Sequence, residues 1–357
     1  MAYGNSSPFD GADACGAGGR QSKAWDGAGG ASRIEDAPVK LGLSSMREMP
    51  DPRVSLELFA AFSAGLLGLI VGSFGNVVIY RLPLQQSVAF PASHCPRCHA
   101  AIRPWQNIPL ISWLLLRGRC ASCRAPISMR YPVVEALHGV GFSAIVLRFG
   151  LNPFTPVLLL FFFALLVLAF IDWDHQILPD AITLPMIGVG LASSLLRGSL
   201  VGWKESMIAA AFGYLSFFVI AEGYARLRGI EGLGMGDWKL AALLGAFLGF
   251  RSLLLVVFLA SVSGIVYGLT QAIRLRHRLP LPSEGTATLV EPVAPAPEAE
   301  PGSEPTAPAD TLEAAEEPPA SIGRYKLPFG TFLAGAAVVV LMRGDALLHW
   351  YGSFFLP

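Results

Sequence analysis

Apolar residues follow one another in long unbroken runs along this chain. They show neither the alternation of a half-buried strand nor the narrow stripe of a surface helix. Eight runs stand out, at 55–80, 132–148, 152–171, 179–197, 206–225, 238–250, 252–273 and 328–345. Several approach the roughly 20 residues a helix needs to cross the hydrocarbon core of a bilayer. Lipid offers no partner for a backbone N–H or C=O, so each run must be a helix that pairs its own backbone groups. The sixth run is short, which suits a tilted or partly buried helix. The pattern predicts an all-α polytopic membrane protein with about eight transmembrane helices.

The intervals between the runs set the domain organisation. Residues 1–52 are rich in Gly, Ala and Ser, lack periodicity, and are expected to be a disordered extension. Met46 and Met49 lie just before the first run and are alternative starts. No apolar stretch ahead of a small-residue cleavage site is visible, so no signal peptide is expected. Residues 279–323 are rich in Pro, Ala and Glu, contain no Lys or Arg, and are expected to be a disordered cytoplasmic linker. Between these lie a first transmembrane helix (55–80), a cysteine-bearing domain (81–131) and a membrane core (132–278). A last helix with the C-terminus (324–357) follows the linker.

Composition agrees with a membrane protein: 53% of the 357 residues are hydrophobic and 15% charged, against about 25% charged in soluble domains. Formal net charge is zero, and no basic stripe calls for a nucleic acid. The distribution of charge says more than its sum. The 81–131 loop carries seven arginines and no acidic residue, which assigns it to the cytoplasm. That orientation also places Arg226, Arg228, Lys239 and Arg274 inside and both termini in the periplasm. Lipid bilayer is therefore one implied partner, and a membrane facing the cytoplasm the implied location.

Acidic residues at the ends of apolar runs carry the strongest chemical signal. The third run ends in Ile171-Asp172-Trp173-Asp174-His175, followed by Pro179-Asp180, and the sixth begins after Gly234-Met235-Gly236-Asp237. Ionisable groups at such depth are costly and mark function by default. On this topology Asp172 and Asp237 both reach the cytoplasmic face. Two close carboxylates share a proton, one serving as base for a water and the other as acid toward a carbonyl oxygen. Gly234 and Gly236, lacking a Cβ, would let an extended substrate approach the backbone. The same pair suits a proton or cation pathway equally well. Asp180 reads as a helix cap, and Asp174 and His175 as solvated loop residues.

Four of the five cysteines form two pairs, Cys95/Cys98 and Cys120/Cys123, with 21 residues between the pairs. Two such C-x-x-C knuckles supply the four thiolates of a closed, structural tetrahedral zinc site. Four sulfurs also suit iron, which is the alternative. His99 is adjacent to Cys98 and poorly placed to replace a ligand. At the end of the first run, Gly72-Ser73-Phe74-Gly75-Asn76 offers small residues for close helix packing.

Taken in order, these blocks resemble the bacterial prepilin peptidase (type IV leader peptidase) family. The similarity runs from about Gly72 to the end, apart from 279–323. Its elements are the Gly72–Pro83 block, Asn107–Trp113 between the cysteine pairs, Arg130–Glu135, Asp172 through Asp180, and Gly232–Asp237. Gly75 stands where a larger apolar residue is common in the family, and Leu233 where methionine is frequent.

The resemblance implies a G-x-G-D membrane aspartic endopeptidase. It would cut the basic leader of prepilins or pseudopilins after glycine at the cytoplasmic face, with Asp172 and Asp237 as catalytic pair. For members with the cysteine domain it also implies N-methylation of the new N-terminus with S-adenosylmethionine as donor. Pilus assembly and type II secretion are the systems such enzymes serve. Two other classes compete. An ion-coupled transporter using Asp172 and Asp237 as a proton relay predicts inverted repeats, and none is visible. A redox module built on the cysteines predicts an iron centre.

Overall fold

The computed structural model describes residues 52–229, 234–278 and 328–355. The expected disordered extension and the 279–323 linker fall outside these, apart from Pro52, as do Gly232 and Leu233. The expectation of an all-α architecture is met: the described residues form eight α-helices and no strand beyond two isolated bridges. The helices are α1 (Pro52–Arg81), α2 (Ile111–Leu115), α3 (Arg130–Phe149), α4 (Thr155–His175), α5 (Asp180–Ser193), α6 (Trp203–Arg228), α7 (Met235–Arg278) and α8 (Phe329–Phe355). Five of them, α1, α3, α4, α6 and α7, are long and apolar enough to cross a membrane. α5 and the 329–344 part of α8 are shorter apolar helices.

The sixth and seventh runs join into α7, with one break. Gly249 has φ 77° and ψ 176°, a backbone region open essentially to glycine alone. A Cβ there would also approach Val201 and Glu205 within 2.6 and 2.8 Å. Forty-four residues of unbroken helix would extend roughly 66 Å, about twice the hydrocarbon thickness. Gly249 divides that length into two helical arms.

α4 supplies the centre of the bundle. Phe161, Leu165, Leu168 and Ile171 are fully buried, and the Phe161 ring stacks on Phe247 of α7 with centroids 4.1 Å apart. Its apolar residues face α1, α3, α5 and α8 rather than lipid alone. The long α1–α3 contact is built on small residues. A Cβ at Gly68 would strike the His138 carbonyl and come within 2.9 Å of the Gly139 Cα, and one at Gly72 would come within 2.9 Å of the Glu135 Cα. Ser143 Oγ donates to the Ala61 carbonyl at 2.9 Å across the same seam. Close backbone approach of this kind is how helices associate where lipid removes the usual hydrophobic drive.

α6 and α7 meet in the same manner. Gly213 lies against the Ala241 carbonyl, Gly245 against that of Ala209, and Ser206 Oγ donates to the Ala246 carbonyl at 2.7 Å. These two seams set where the end of α4 and the start of α7 come to rest.

Candidate active site and cysteine centre

Asp172 lies in the last turn of α4 and Asp237 in the first turn of α7, and both are buried, at 5% and 8% exposure. Their carboxyl groups interact electrostatically. The Asp237 N–H donates to the Gly234 carbonyl at 3.1 Å, closing the turn that opens α7. Leu178 wedges between the starts of two helices: a Cβ at Gly236 would fall 2.7 Å from its Cβ, and one at Gly330 would fall 3.0 Å from its Cδ1. Gly234 is exposed, with the Asp237 carboxylate 3.8 Å from the position a Cβ would take. At Gly236 a side chain would collide with Leu178, so the position needs glycine.

A third helix completes the pair. The Thr331 N–H in the first turn of α8 donates to Asp172 Oδ2 at 2.6 Å, and the Thr331 hydroxyl lies 3.0 Å from the same oxygen. That hydroxyl also reaches the Ala169 carbonyl at 2.9 Å. First-turn N–H groups have no partner within their own helix, so a carboxylate is a natural acceptor for them. Gly330 packs closely here, and a Cβ there would lie a tight 3.0 Å from Asp172 Oδ2. Thr331 and Gly330 escaped sequence reasoning. Their signal was Pro328-Phe329-Gly330-Thr331 at the head of the last run, a small-residue start with a hydroxyl but no mark of its partner.

The neighbouring acids take structural positions. Asp174 pairs with Arg130, whose guanidinium also donates to the Phe170 carbonyl at 3.3 Å, tying the start of α3 to the end of α4. It is therefore paired rather than merely solvated. Asp180 makes no cap: Pro179 occupies the N-cap of α5, and Asp180 accepts from Lys239 Nζ at 2.6 Å instead. That half-exposed pair contributes about 0–1 kcal/mol. His175 is exposed at the end of α4.

The four paired cysteines converge. Their sulfurs all lie within 4.8 Å of one another, and none is in a disulfide. Cys95 Sγ is 3.8 Å from Cys123 Sγ. Tetrahedral zinc with bonds of about 2.3 Å spaces its sulfurs about 3.8 Å apart, so the donor set fits such an ion. Two matching turns build the site. Cys95 N–H bonds the Ala100 carbonyl and Cys120 N–H the Ala125 carbonyl; His99 N–H bonds the Cys95 carbonyl and Arg124 N–H the Cys120 carbonyl. His99 and Arg124 both adopt positive φ, 55° and 60°, and each turn is closed by a bridge, His94 to Ala101 and Arg119 to Pro126. This internal repeat, 25 positions apart, is legible in the sequence once the residues after each second cysteine are aligned. The N–H of Cys98, and then that of Arg97, draw the Cys95 thiol down to about 6, which favours the thiolate a metal needs. His99 is not among the clustered donors; its ring stacks on His94.

Family models match both regions. A bacterial peptidase A24 N-terminal domain matches residues 66–149, and the type IV leader peptidase family matches residues 159–269. A protein of Stutzerimonas stutzeri named prepilin leader peptidase/N-methyltransferase is 35% identical over 312 residues, covering 81% of this chain and 92% of the relative. This chain belongs to the type IV leader peptidase family. Relatives of the same name in Neisseria gonorrhoeae and Myxococcus xanthus are 42% and 47% identical. They cover 59% of this chain in each case, and 82% and 63% of their own lengths. No solved structure matches the chain. These relatives are enzymes of the family and not transporters, so the proton-relay alternative finds no support. α8, which supplies the donors to Asp172, lies beyond the residues matched by either family model.

Proposed function

We propose that this chain removes the leader of type IV prepilins or pseudopilins and then methylates the new N-terminus. One observation carries the peptidase reading: two buried, interacting carboxyl groups, Asp172 and Asp237, held at the ends of α4 and α7 with the first turn of α8 donating to one of them. In this reading the pair acts as a unit around one shared proton. One carboxylate takes a proton from the attacking water, and the other, protonated, hydrogen-bonds the scissile carbonyl oxygen. Thr331 fixes the Asp172 carboxyl in place, so the water meets a base that does not have to reorient. Exposed Gly234 lies where the substrate backbone would pass.

The remaining assignments belong to the same proposal. Cleavage after the leader glycine occurs at the cytoplasmic face of the inner membrane, with the N-terminus periplasmic, a reading supported by the arginines of the 81–131 loop. Cys95, Cys98, Cys120 and Cys123 hold a structural zinc ion that organises the 81–131 domain, while 132–278 forms the peptidase core. S-adenosylmethionine, when bound, supplies a methyl group whose C–S bond breaks as a bond forms to the neutral α-amine, the amine's extra proton having gone to water.

The test is a purified prepilin incubated with the protein and followed by mass spectrometry. Leader loss with wild type, and an intact prepilin with Asp172→Asn and with Asp237→Asn, is the expected result. Cleavage at the wild-type rate by either variant would remove the pair from catalysis.

A further inference from the structure

Between the cysteine domain and the α1–α3 seam lies a cavity of about 590 Å³, well inside the range that accepts a cofactor-sized ligand. It is separate from the aspartate pair, since neither Asp172 nor Asp237 lines it. Glu135 is the one carboxylate in its wall. That side chain is 7% exposed, and among the described residues it has no ion-pair partner. Two arginines, Arg81 and Arg97, also line the wall; Arg81 is committed elsewhere, donating to the carbonyls of Ser87 and Pro91 at 3.0 and 2.8 Å, and neither forms an ion pair with Glu135 among the described residues. A buried acidic group with no cation beside it is one that a positive ligand would complement.

The backbone around Glu135 is shaped to hold it. Leu110 has φ 60° and ψ −49°, and Ile111 N–H bonds the Pro109 carbonyl at 2.6 Å. That is a γ-turn of the rare, strained form. Its effect is to aim the Leu110 N–H at Glu135 Oε2, 2.8 Å away, while Ser73 lies against the same carboxyl. Strain of this kind persists only where the surroundings over-determine it, and it gathers at ligand sites. Tyr80, Trp113 and Tyr131 add flat aromatic surface to the wall, and Asn76 and Asn107 add amide groups. The wall thus joins one acidic group, two arginines, flat rings and hydrogen-bonding amides.

We propose that this cavity binds S-adenosylmethionine, with Glu135 facing a positive charge of the donor and the aromatic wall receiving its adenine. The inference rests on the functional reading above, which calls for such a donor but leaves its site open. Few other ligands combine a planar heteroaromatic ring with a sulfonium and an ammonium. The cavity also borders Cys95 and Cys120, so the metal centre would serve as one wall of the donor site.

Two measurements on the purified, zinc-loaded full chain test the site. Ultraviolet crosslinking of radiolabelled S-adenosylmethionine to wild type, with peptide mapping, is expected to label residues between 73 and 135. Titration calorimetry with S-adenosylmethionine is expected to show affinity reduced by roughly tenfold or more in Glu135→Gln, which keeps an acceptor for the Leu110 N–H but loses the charge. Label confined to other segments, or wild-type affinity in a folded Glu135→Gln, would overturn the proposal. Zinc content and leader cleavage of the variant report whether it has folded; if it has not, the wild-type crosslink map alone decides. Should wild type neither cleave nor methylate a prepilin yet carry label within 73–135, the functional reading falls and the site stands. Should it do both while the label lies elsewhere, the site falls and the functional reading stands.

Discussion

Thr331 reaches Asp172 across 159 positions of sequence: its backbone N–H donates to Asp172 Oδ2 at 2.6 Å, and its hydroxyl proton is shared between that oxygen and the Ala169 carbonyl. Thr331→Val keeps the shape and the backbone donor but removes the hydroxyl. A full hydrogen bond to a charged group is worth about 1.5–3 kcal/mol, and this one is shared with the Ala169 carbonyl, so leader cleavage should slow by roughly 10-fold. Steady-state kinetics on a purified prepilin would read this as a fall in kcat. An unchanged kcat would show that the N–H alone positions the carboxylate.

Gly330→Ala is expected to be more damaging than Thr331→Val. Its Cβ would press on Asp172 Oδ2 and on Leu178 Cδ1 together, each 3.0 Å away. Combining it with Leu178→Ala relieves only the second contact, so cleavage should recover in part and not in full. Full recovery in the double variant would mean that the Asp172 contact is harmless.

The acidic and cysteine residues of the candidate sites were visible in the sequence because their chemistry is rare in apolar or loop surroundings. An aspartate at the end of a lipid-spanning run and two C-x-x-C pairs announce themselves. The partners that position them did not. Thr331, Gly330 and Leu178 are ordinary residues whose meaning comes only from the packing of α8 against α4. Asp180 shows the opposite error: its place after Pro179 resembled a cap, yet its carboxylate turned to Lys239, 59 positions away. Long apolar runs located the helices but could not show that the sixth and seventh form one helix interrupted at a single glycine.

Gly249→Ala should lower the thermal stability of the detergent-solubilised protein. Placing a side chain at φ 77° and ψ 176° costs roughly 1–3 kcal/mol before any collision with Val201 or Glu205. A thermal scan of unfolding would detect the shift. No change would mean that the two arms of α7 can meet at another angle without cost.

Metal analysis is expected to find one zinc ion per chain, lost when Cys95 and Cys120 are replaced by serine. Without the ion, limited proteolysis should cut within 82–129 while fragments carrying α4 to α7 persist, because the ion is what ties the two cysteine turns together. Equal protease resistance in the metal-free variant would rule out a structural role.

The contact between α8 and Asp172 also imposes an order on biogenesis. During synthesis both aspartates emerge before residue 328, yet Asp172 has no Thr331 donor until the final helix has followed and packed against α4. A half-made chain therefore carries the acidic pair without its positioning groups. The pair gains these positioning groups only once the start of α8 has been made and has packed against α4.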